Sequence, residues 1–599
     1  MGHRPHTGPR FAEPRVEIDK RADGSMILRS PYPVGDYVRA VGDWLVQGYE
    51  KHPERAFLAE RAGESWRRLS YRDALSEARC IGQALLNFGL DASHPIVILS
   101  DNGIDHALLA LGAMHAGIPV APISPAYSLM SKDFGKLKYI FELLKPGLVY
   151  AADGERFAPA LRAVPRGDAR LVFSANPPKD LPGTPFVKLL ETNPGGTLEV
   201  AFSRIKPETV AKILFTSGST GFPKGVVNTQ RMLCANQQML AQAWPFVEDH
   251  PPVTVDWLPW NHTFGGNHNF NLVLRNGGTL YVDGGKPAPG LVETTARNLR
   301  EISPTIYFNV PRGYDLLLPL LESDAELRRN FFRDLDVLFY AAAALPQNLW
   351  DRLKALARQE NKSDLAMLSA WGSTETAPLA TSVHFRMERP GVIGLPVAGC
   401  ELKLVPAGGK LEVRVRGLNV TPGYYKRDDL TRLAFDDEGF YKIGDALKFA
   451  DPYDPTKGLV FDGRVAEDFK LSSGTWVHAG ALRVKLIAAC DPMVQDAVIA
   501  GHDREQIGAL VFLNPAVAKD LPPEQVRARL KDALRRMAAE ATGSSTRVAR
   551  VLVMSEPLSI DANEITDKGY INQRAVLEHR AALVERLYAE PLPDDVITA

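Results

Sequence analysis

Short, unbroken apolar runs set between stretches of helical periodicity constrain this chain more than any other feature. Residues 96–99 read Ile-Val-Ile-Leu with no polar interruption, the pattern of a strand buried on both faces. Ahead of it, Leu75, Ala78, Ile81, Leu85 and Phe88 recur at helical spacing. Ser70 can cap that helix, with Asp73 three residues on, and Gly89 can stop it. A helix from about Gly103 to His115 and a second strand over Ile118 to Ala121 complete a βαβ unit. The theme returns in a helix over Leu137 to Leu144 and in strands at Leu148 to Tyr150, Leu171 to Phe173 and Val210 to Phe215. Strands hidden on both faces need helices above and below, so the expected fold is α/β, with parallel sheets in layers. Residues 176–208 read as a surface loop.

The texture changes after about residue 390. Leu411, Val413 and Val415 alternate strictly, and Asp436-Asp437-Glu438-Gly439 makes a tight turn, which predicts a β-rich subdomain. From about 465 the pattern is that of a small α+β domain, with strands at Val498 to Ala500 and Leu510 to Leu513 and a charged amphipathic helix over 523–540. The expected organisation is an N-terminal extension over 1–35, a large domain over 36–464 that is β-rich from about 390, and a small C-terminal domain over 465–599.

Composition narrows the class of partner. Lys+Arg is 70 and Asp+Glu is 71, a net charge of -1, so nothing electrostatic points to nucleic acid or an anionic membrane. Cys80, Cys234, Cys400 and Cys490 are scattered, with no metal-ligand or redox spacing, which fits a reducing compartment. The most apolar stretch, Ala107 to Tyr127, is broken by Gly117, Pro119 and Pro122 and cannot supply the ~20 unbroken apolar residues of a membrane span. The N-terminus has no signal-peptide core. The expectation is a cytoplasmic enzyme acting on small molecules; the sequence sets no oligomeric state.

Chemistry concentrates in Thr216-Ser-Gly-Ser-Thr-Gly-Phe-Pro-Lys-Gly225, directly after the strand ending at Phe215. Backbone N–H groups in a Gly-rich turn can face an anion, and the hydroxyls add donors. Lys224 adds a point charge suited to a polyphosphate. The spacing is not that of a Walker A loop.

This string resembles the phosphate loop of the adenylate-forming superfamily of acyl-CoA synthetases, luciferases and peptide-synthetase adenylation domains. Further motifs follow in that family's order: Tyr340-Ala-Ala-Ala-Ala-Leu-Pro346, Trp371-Gly-Ser-Thr-Glu375, Gly394 to Gly399, Gly423-Tyr424, Tyr441-Lys-Ile-Gly-Asp445 and Asp462-Gly-Arg464. The resemblance covers about residues 36 to 580. It implies a carboxylate attacking the α-phosphorus of ATP, with catalysis largely by charge neutralisation and positioning. It implies ATP or AMP binding by Thr216, Ser217, Gly218, Ser219, Thr220, Gly221 and Lys224 at the phosphates. Ala341, Ala342, Gly372 and Ser373 are implied in the same ATP or AMP site, with Trp371 offering a flat face to adenine and Asp445 and Arg464 at the ribose. Glu375 would hold Mg²⁺, Thr374 would donate to the α-phosphate, and His262 would stand between phosphate and acyl sites. Lys568, in Asn563-Glu-Ile-Thr-Asp-Lys568-Gly, resembles the family's catalytic lysine on a mobile small domain, which rotates about a hinge after Arg464 so that coenzyme A can attack.

Departures from the family pattern fall mostly in the C-terminal domain. Ala466 replaces the usual hinge Asp or Lys, the loop Lys470 to Gly474 is one residue longer, and Asp567 precedes Lys568 where glycine is usual. The strings 465–477 and 564–574 resemble feruloyl-CoA synthases. That implies an acid pocket lined by Asn261, Phe264, His268 and Tyr340, with Ala341 to Ala343 leaving room for a planar ring or simply packing tightly. It implies a coenzyme A site at Lys470, Ser473 and Gly474. Two alternatives stand beside ferulate ligation: a fatty acyl-CoA or other aryl-CoA ligase, and a nucleotide-binding protein without turnover.

Overall fold

The computed structural model describes residues 8–216, 221–519, 521–566, 569 and 571–599. The helix Tyr71–Asn87 starts at Ser70, whose hydroxyl accepts from the Asp73 N–H at 3.1 Å, and it ends before Gly89 at φ +78°. It packs on Ile104–His115 at backbone distance. A Cβ on Gly82 would lie 2.9 Å from Gly112 O, and one on Gly112 would lie 2.7 Å from Ala78 O. Alanine at either glycine would wedge the pair apart, at a cost of about 1–3 kcal/mol.

Among the described residues these helices cover a seven-stranded sheet. Its order is Lys224–Thr229, Val210–Thr216, Val120–Ile123, Ile96–Leu99, Leu148–Asp153, Arg170–Ala175 and Thr184–Pro185. All neighbours are parallel except the first pair, which forms an antiparallel hairpin. Ile96–Leu99 is buried at every position, as its composition demands.

A second sheet has eleven strands and joins two kinds of pairing. Ile306–Asn309, Val337–Tyr340 and Ala366–Gly372 are parallel, and from Leu379–Ser382 onward the sheet is antiparallel. The far edge is the hairpin Glu17–Lys20 with Met26–Arg29, whose second strand pairs with Cys400–Ala407. The extension before residue 36 is thus built into the β-rich region.

The small domain carries the four-stranded sheet Val494–Ala500, Ile507–Leu513, Val548–Val553 and Val596–Thr598. The helix Pro523–Glu540 covers it with Val526, Leu530, Ala533, Leu534 and Met537 buried, a helical stripe. The expected large α/β domain with a small α+β domain is the architecture observed.

Residues 176–208 differ from expectation. They contain Thr184–Pro185 and the helices Val187–Leu190 and Gly196–Ser203. Leu181, Phe186, Leu189, Leu198 and Ile205 are buried. Irregular spacing across Pro and Gly hides such short elements from a periodicity argument.

Candidate active site

Thr216, Tyr340 and the Trp371 to Glu375 string stand at the carboxyl ends of strands with parallel neighbours, where open α/β sheets place their ligands. Thr216 closes one strand and faces Lys224 as the last pair of the hairpin. Lys224 Nζ sits 5.1 Å from the centre of the Tyr424 ring. Gly221 follows with φ +95°, a conformation that favours glycine. Ser217, Gly218, Ser219 and Thr220 lie outside the described residues, as does Lys568.

Gly423 and Tyr424 run alongside this hairpin: Val227 N–H donates to Gly423 O at 3.1 Å and Tyr425 N–H to Gly225 O at 2.8 Å. Tyr424 then donates its hydroxyl to Glu375 Oε1 at 3.1 Å and lies 3.3 Å from the Tyr441 hydroxyl. Tyr441 also hydrogen-bonds Glu375, and burial pushes both tyrosines well above the usual phenol range, so they remain neutral donors. Glu375 lies in the turn Thr374–Thr376, and its backbone carbonyl accepts from Thr421 N–H at 2.8 Å. Gly372 enters that turn against Pro378 O, where a Cβ would lie 1.7 Å from the oxygen; only glycine fits.

Trp371 and Asp445 form a second unit. The indole N–H donates to Asp445 Oδ2 at 3.0 Å across 74 residues of sequence. Asp445 Oδ1 is buried with no hydrogen-bond partner among the described residues, and Arg464 Nε stands 3.6 Å away. Burial raises the Asp445 carboxyl above its ordinary value, with Arg464 and Trp371 opposing. A buried carboxylate oxygen without a donor is costly, and vicinal hydroxyls of a sugar would satisfy it. Ser373 Oγ is likewise buried and unpartnered among the described residues.

A Mg²⁺ ion suits these donors. Such ions take one or two carboxylates and complete an octahedron with water and phosphate oxygen. Glu375 offers one buried carboxylate held by neutral hydroxyls. Among the described residues no group of three or more His, Cys, Asp or Glu assembles.

The segment expected to line the acid pocket forms a π-helical turn, Phe264–Asn269. Gly265 and Gly266 pass so close to the preceding segment that a Cβ would lie 2.2 Å from Leu258 O and 2.3 Å from Trp260 O. The turn's carbonyls take donors from outside it: Lys212 Nζ reaches Gly266 O at 2.8 Å, and Gln237 Nε2 reaches Asn267 O and His268 O at 2.9 and 3.0 Å. Burial brings Lys212 down to about 7.

His262 precedes the turn. Phe264 N–H donates to its Nδ1 at 3.3 Å, which leaves the proton of the neutral ring on Nε2. Asn261 is half-buried beside it. His268 stacks on Phe339 at 5.4 Å and meets Phe264 and Phe308 edge-on at 5.8 and 5.5 Å. Burial lowers it to about 4, so it is neutral at neutral pH. Asn269 Nδ2 donates to Asp256 Oδ2 at 2.8 Å, so its Oδ1 accepts from His268 Nδ1–H at 2.9 Å. His268 Nε2 is left as an acceptor with no partner among the described residues.

The other expected residues make contacts of their own. Tyr340 is buried with its ring edge-on to Trp350 at 6.4 Å, and its hydroxyl accepts from Gly391 N–H at 3.3 Å. Ala341 is half-buried, Ala342 to Ala344 are exposed, and Ala342 sits at φ +73°. The alanine run is therefore a strained exposed loop rather than tight core. Lys470, Ser473 and Gly474 belong to the hairpin Phe469–Lys470 with Trp476–Val477. Lys470 Nζ lies 5.0 Å from the Trp476 ring, and Ser473 Oγ lies 2.9 Å from Thr475 Oγ1.

Sequence reasoning missed three features: the Trp371–Asp445 bond, the two tyrosines on Glu375, and Lys212 beneath the π-turn. Only Lys212 left a local signal, a lysine inside the apolar run 210–215.

Comparison with known proteins agrees with this geometry. Residues 46–425 match the model of the AMP-binding enzyme family, and residues 470–591 match that of the AMP-binding enzyme C-terminal domain. The chain belongs to the AMP-binding enzyme family. A carboxylic acid reductase of Mycobacterium marinum is 26% identical over 410 residues, covering 64% of this chain and 33% of that protein. The chain thus matches one third of that relative's length. The long-chain-fatty-acid–CoA ligase ACSBG1 of Rattus norvegicus is 22% identical over 659 residues, covering 95% and 88%. The adenylation domain of a carboxylate reductase from Mycobacterium chelonae shares the fold, with a TM-score of 0.72 at 20% identity over 93% and 92% of the two chains. Among the described residues no helix is long and apolar enough to cross a membrane.

Proposed function

We propose that the chain is an ATP-dependent acid–thiol ligase that forms an acyl-adenylate and then an acyl-CoA thioester. One observation carries this reading: a buried Glu375 carboxylate is tied through Tyr424 to the segment beside the Thr216–Lys224 hairpin, and a buried, donor-poor Asp445 carboxylate is held by Trp371, four residues before Glu375. Asp445 accepts from the ribose hydroxyls, held in place by Trp371. Lys224 and the hydroxyls of the 216–220 loop bind the β- and γ-phosphates. Glu375, held by Tyr424 and Tyr441, is the protein's ligand for Mg²⁺, which supplies neutralisation of phosphate charge.

A carboxylate oxygen of the acid attacks the α-phosphorus, an O–P bond forms, and the α–β bridge breaks to release pyrophosphate. His262 Nε2–H and Thr374 donate toward the oxygens whose charge grows, and the Lys568 ammonium bridges the two anions. After the small domain turns, the thiol sulfur of coenzyme A attacks the acyl carbonyl at the Lys470 to Gly474 side. A C–S bond forms, AMP leaves, and the thiol proton passes to solvent.

For the acid, the long-chain-fatty-acid–CoA ligase among the relatives supports a fatty acid. The walls of Phe264, Phe308 and Phe339 favour a flat ring. The neutral His268 acceptor would suit a phenolic hydroxyl, as in hydroxycinnamates. A thioester assay with ATP, Mg²⁺ and coenzyme A over ferulate, p-coumarate, benzoate and octanoate tests this. We expect AMP and thioester in equal amounts with at least one acid. Hydroxycinnamates ahead of octanoate supports the phenolic reading; the reverse order replaces it with a fatty acyl ligase.

A further inference from the structure

The small domain touches the large domain through a short polar contact far from the hinge. Lys136, on the first turn of the helix Gly135–Leu144, is only 8% exposed. Its ammonium donates to Ile560 O at 2.6 Å and to Asn563 Oδ1 at 3.3 Å, both on the small domain. Beside it, Asp561 Oδ1 accepts from Ser131 Oγ at 2.7 Å and Oδ2 from Lys132 N–H at 3.1 Å. Ile560 and Ile565 join the apolar cluster that includes Phe141, Phe215 and Tyr425. Phe215 adjoins the phosphate loop.

The segment that makes these contacts is braced from within. Glu564 is fully buried and takes Ser559 N–H at 2.9 Å and Arg580 through Nε and Nη2 at 2.7 and 2.8 Å. The Glu564 backbone carbonyl accepts from Asn572 N–H at 2.9 Å. Ser559, Glu564, Asn572 and Arg580 are therefore tied into one braced unit beside the Ile560 and Asp561 contacts. An ammonium removed from water against neutral oxygens carries a desolvation cost. Water replaces both oxygens once the domains part, so this contact can be made and broken in each turnover.

We propose that Lys136 and Asp561 form a latch that docks the small domain for the adenylating step, as positioning residues for Lys568. This rests on the ligase reading above. Neither residue touches the reacting atoms; each sets how often the 559–572 segment is seated. Losing a charged hydrogen bond at such a contact lowers the seated population about tenfold or more.

The test separates the two half-reactions in the full chain. ATP–pyrophosphate exchange with ferulate and with octanoate reads the first. Thioester formation from supplied feruloyl-AMP or octanoyl-AMP with coenzyme A reads the second. We expect Lys136→Met and Asp561→Ala each to lower exchange about tenfold or more, with the second half-reaction within about twofold of wild type. Lys136→Arg should recover part of the exchange. The two variants sit on different domains, so misfolding of one leaves the other as the test. Variants that exchange like wild type, or that lose both half-reactions by the same factor, overturn the latch alone. A wild type without exchange on either acid removes the ligase reading and the latch with it.

Discussion

The carboxylate cluster of the large domain and the contact between the large and small domains are held by opposite means. In that cluster the five side chains are buried in two bonded sets, Glu375 with Tyr424 and Tyr441, and Trp371 with Asp445. At the contact, a few hydrogen bonds and two isoleucines join the domains. Preorganised carboxylates need a stiff frame, because catalysis by positioning is lost with about 1 Å of slack. A domain that serves two reactions in turn needs contacts that water can replace. On the proposed reading, rigidity belongs to the nucleotide site and exchangeability to the contact between the domains.

Substitutions can break this contrast, and the largest effect should come from the brace inside the mobile domain. Arg580→Ala would leave Glu564 buried without its cation and cost about 3–5 kcal/mol, read as a lower urea midpoint for the small domain. Burial would raise the Glu564 carboxyl, but Arg580, the Ser559 N–H and His579 outweigh it and hold it at about 2. With the folded value below the unfolded one, the stability from Glu564 is present above the ordinary carboxylate range and is lost as pH falls toward 2. In Arg580→Ala the folded and unfolded values draw together, so the stability lost between the ordinary carboxylate range and pH 2 should shrink; an unchanged loss would refute the brace.

Next in size, Glu375→Gln should cut exchange about 10²- to 10³-fold with little change in the melting temperature. Loss of fold instead would make Glu375 structural. Smaller again, Asp445→Asn keeps an acceptor for Trp371 but loses the charge. It should raise the KM for ATP about ten- to a hundredfold at similar kcat. Because burial raises the Asp445 carboxyl, wild-type ATP affinity should begin to fall with decreasing pH above the ordinary carboxylate range. Asn should remove that dependence. The smallest effect belongs to Trp371→Phe, which removes one N–H donor and should raise the same KM by roughly tenfold or less; no change would show that Asp445 holds itself.

The same contrast governs what the sequence reveals. Ile96–Leu99, the Ser70 cap and the 523–540 stripe are legible because burial and periodicity are local properties. The Thr216 to Gly225 string and Trp371 to Glu375 are legible because their chemistry is packed into a few consecutive residues. What joins them is not local. Trp371 meets Asp445 across 74 residues and Lys136 meets Ile560 across 424, and no spacing rule reaches that far. The short helices within 176–208 escape for the reverse reason: four and eight residues are too few for a period to register. Tyr340 shows the limit of reading a motif without its fold, since its hydroxyl is engaged by Gly391 and its ring by Trp350.

The central claim is that a carboxylate and ATP react on this chain to give a mixed anhydride and pyrophosphate. Incubating the purified chain with ATP, Mg²⁺ and ³²P-labelled pyrophosphate, without coenzyme A, tests it directly. Label should enter ATP only when a suitable acid is added, and Glu375→Gln should abolish nearly all of that transfer. Label that stays in pyrophosphate with every aromatic and aliphatic acid supplied would contradict the account.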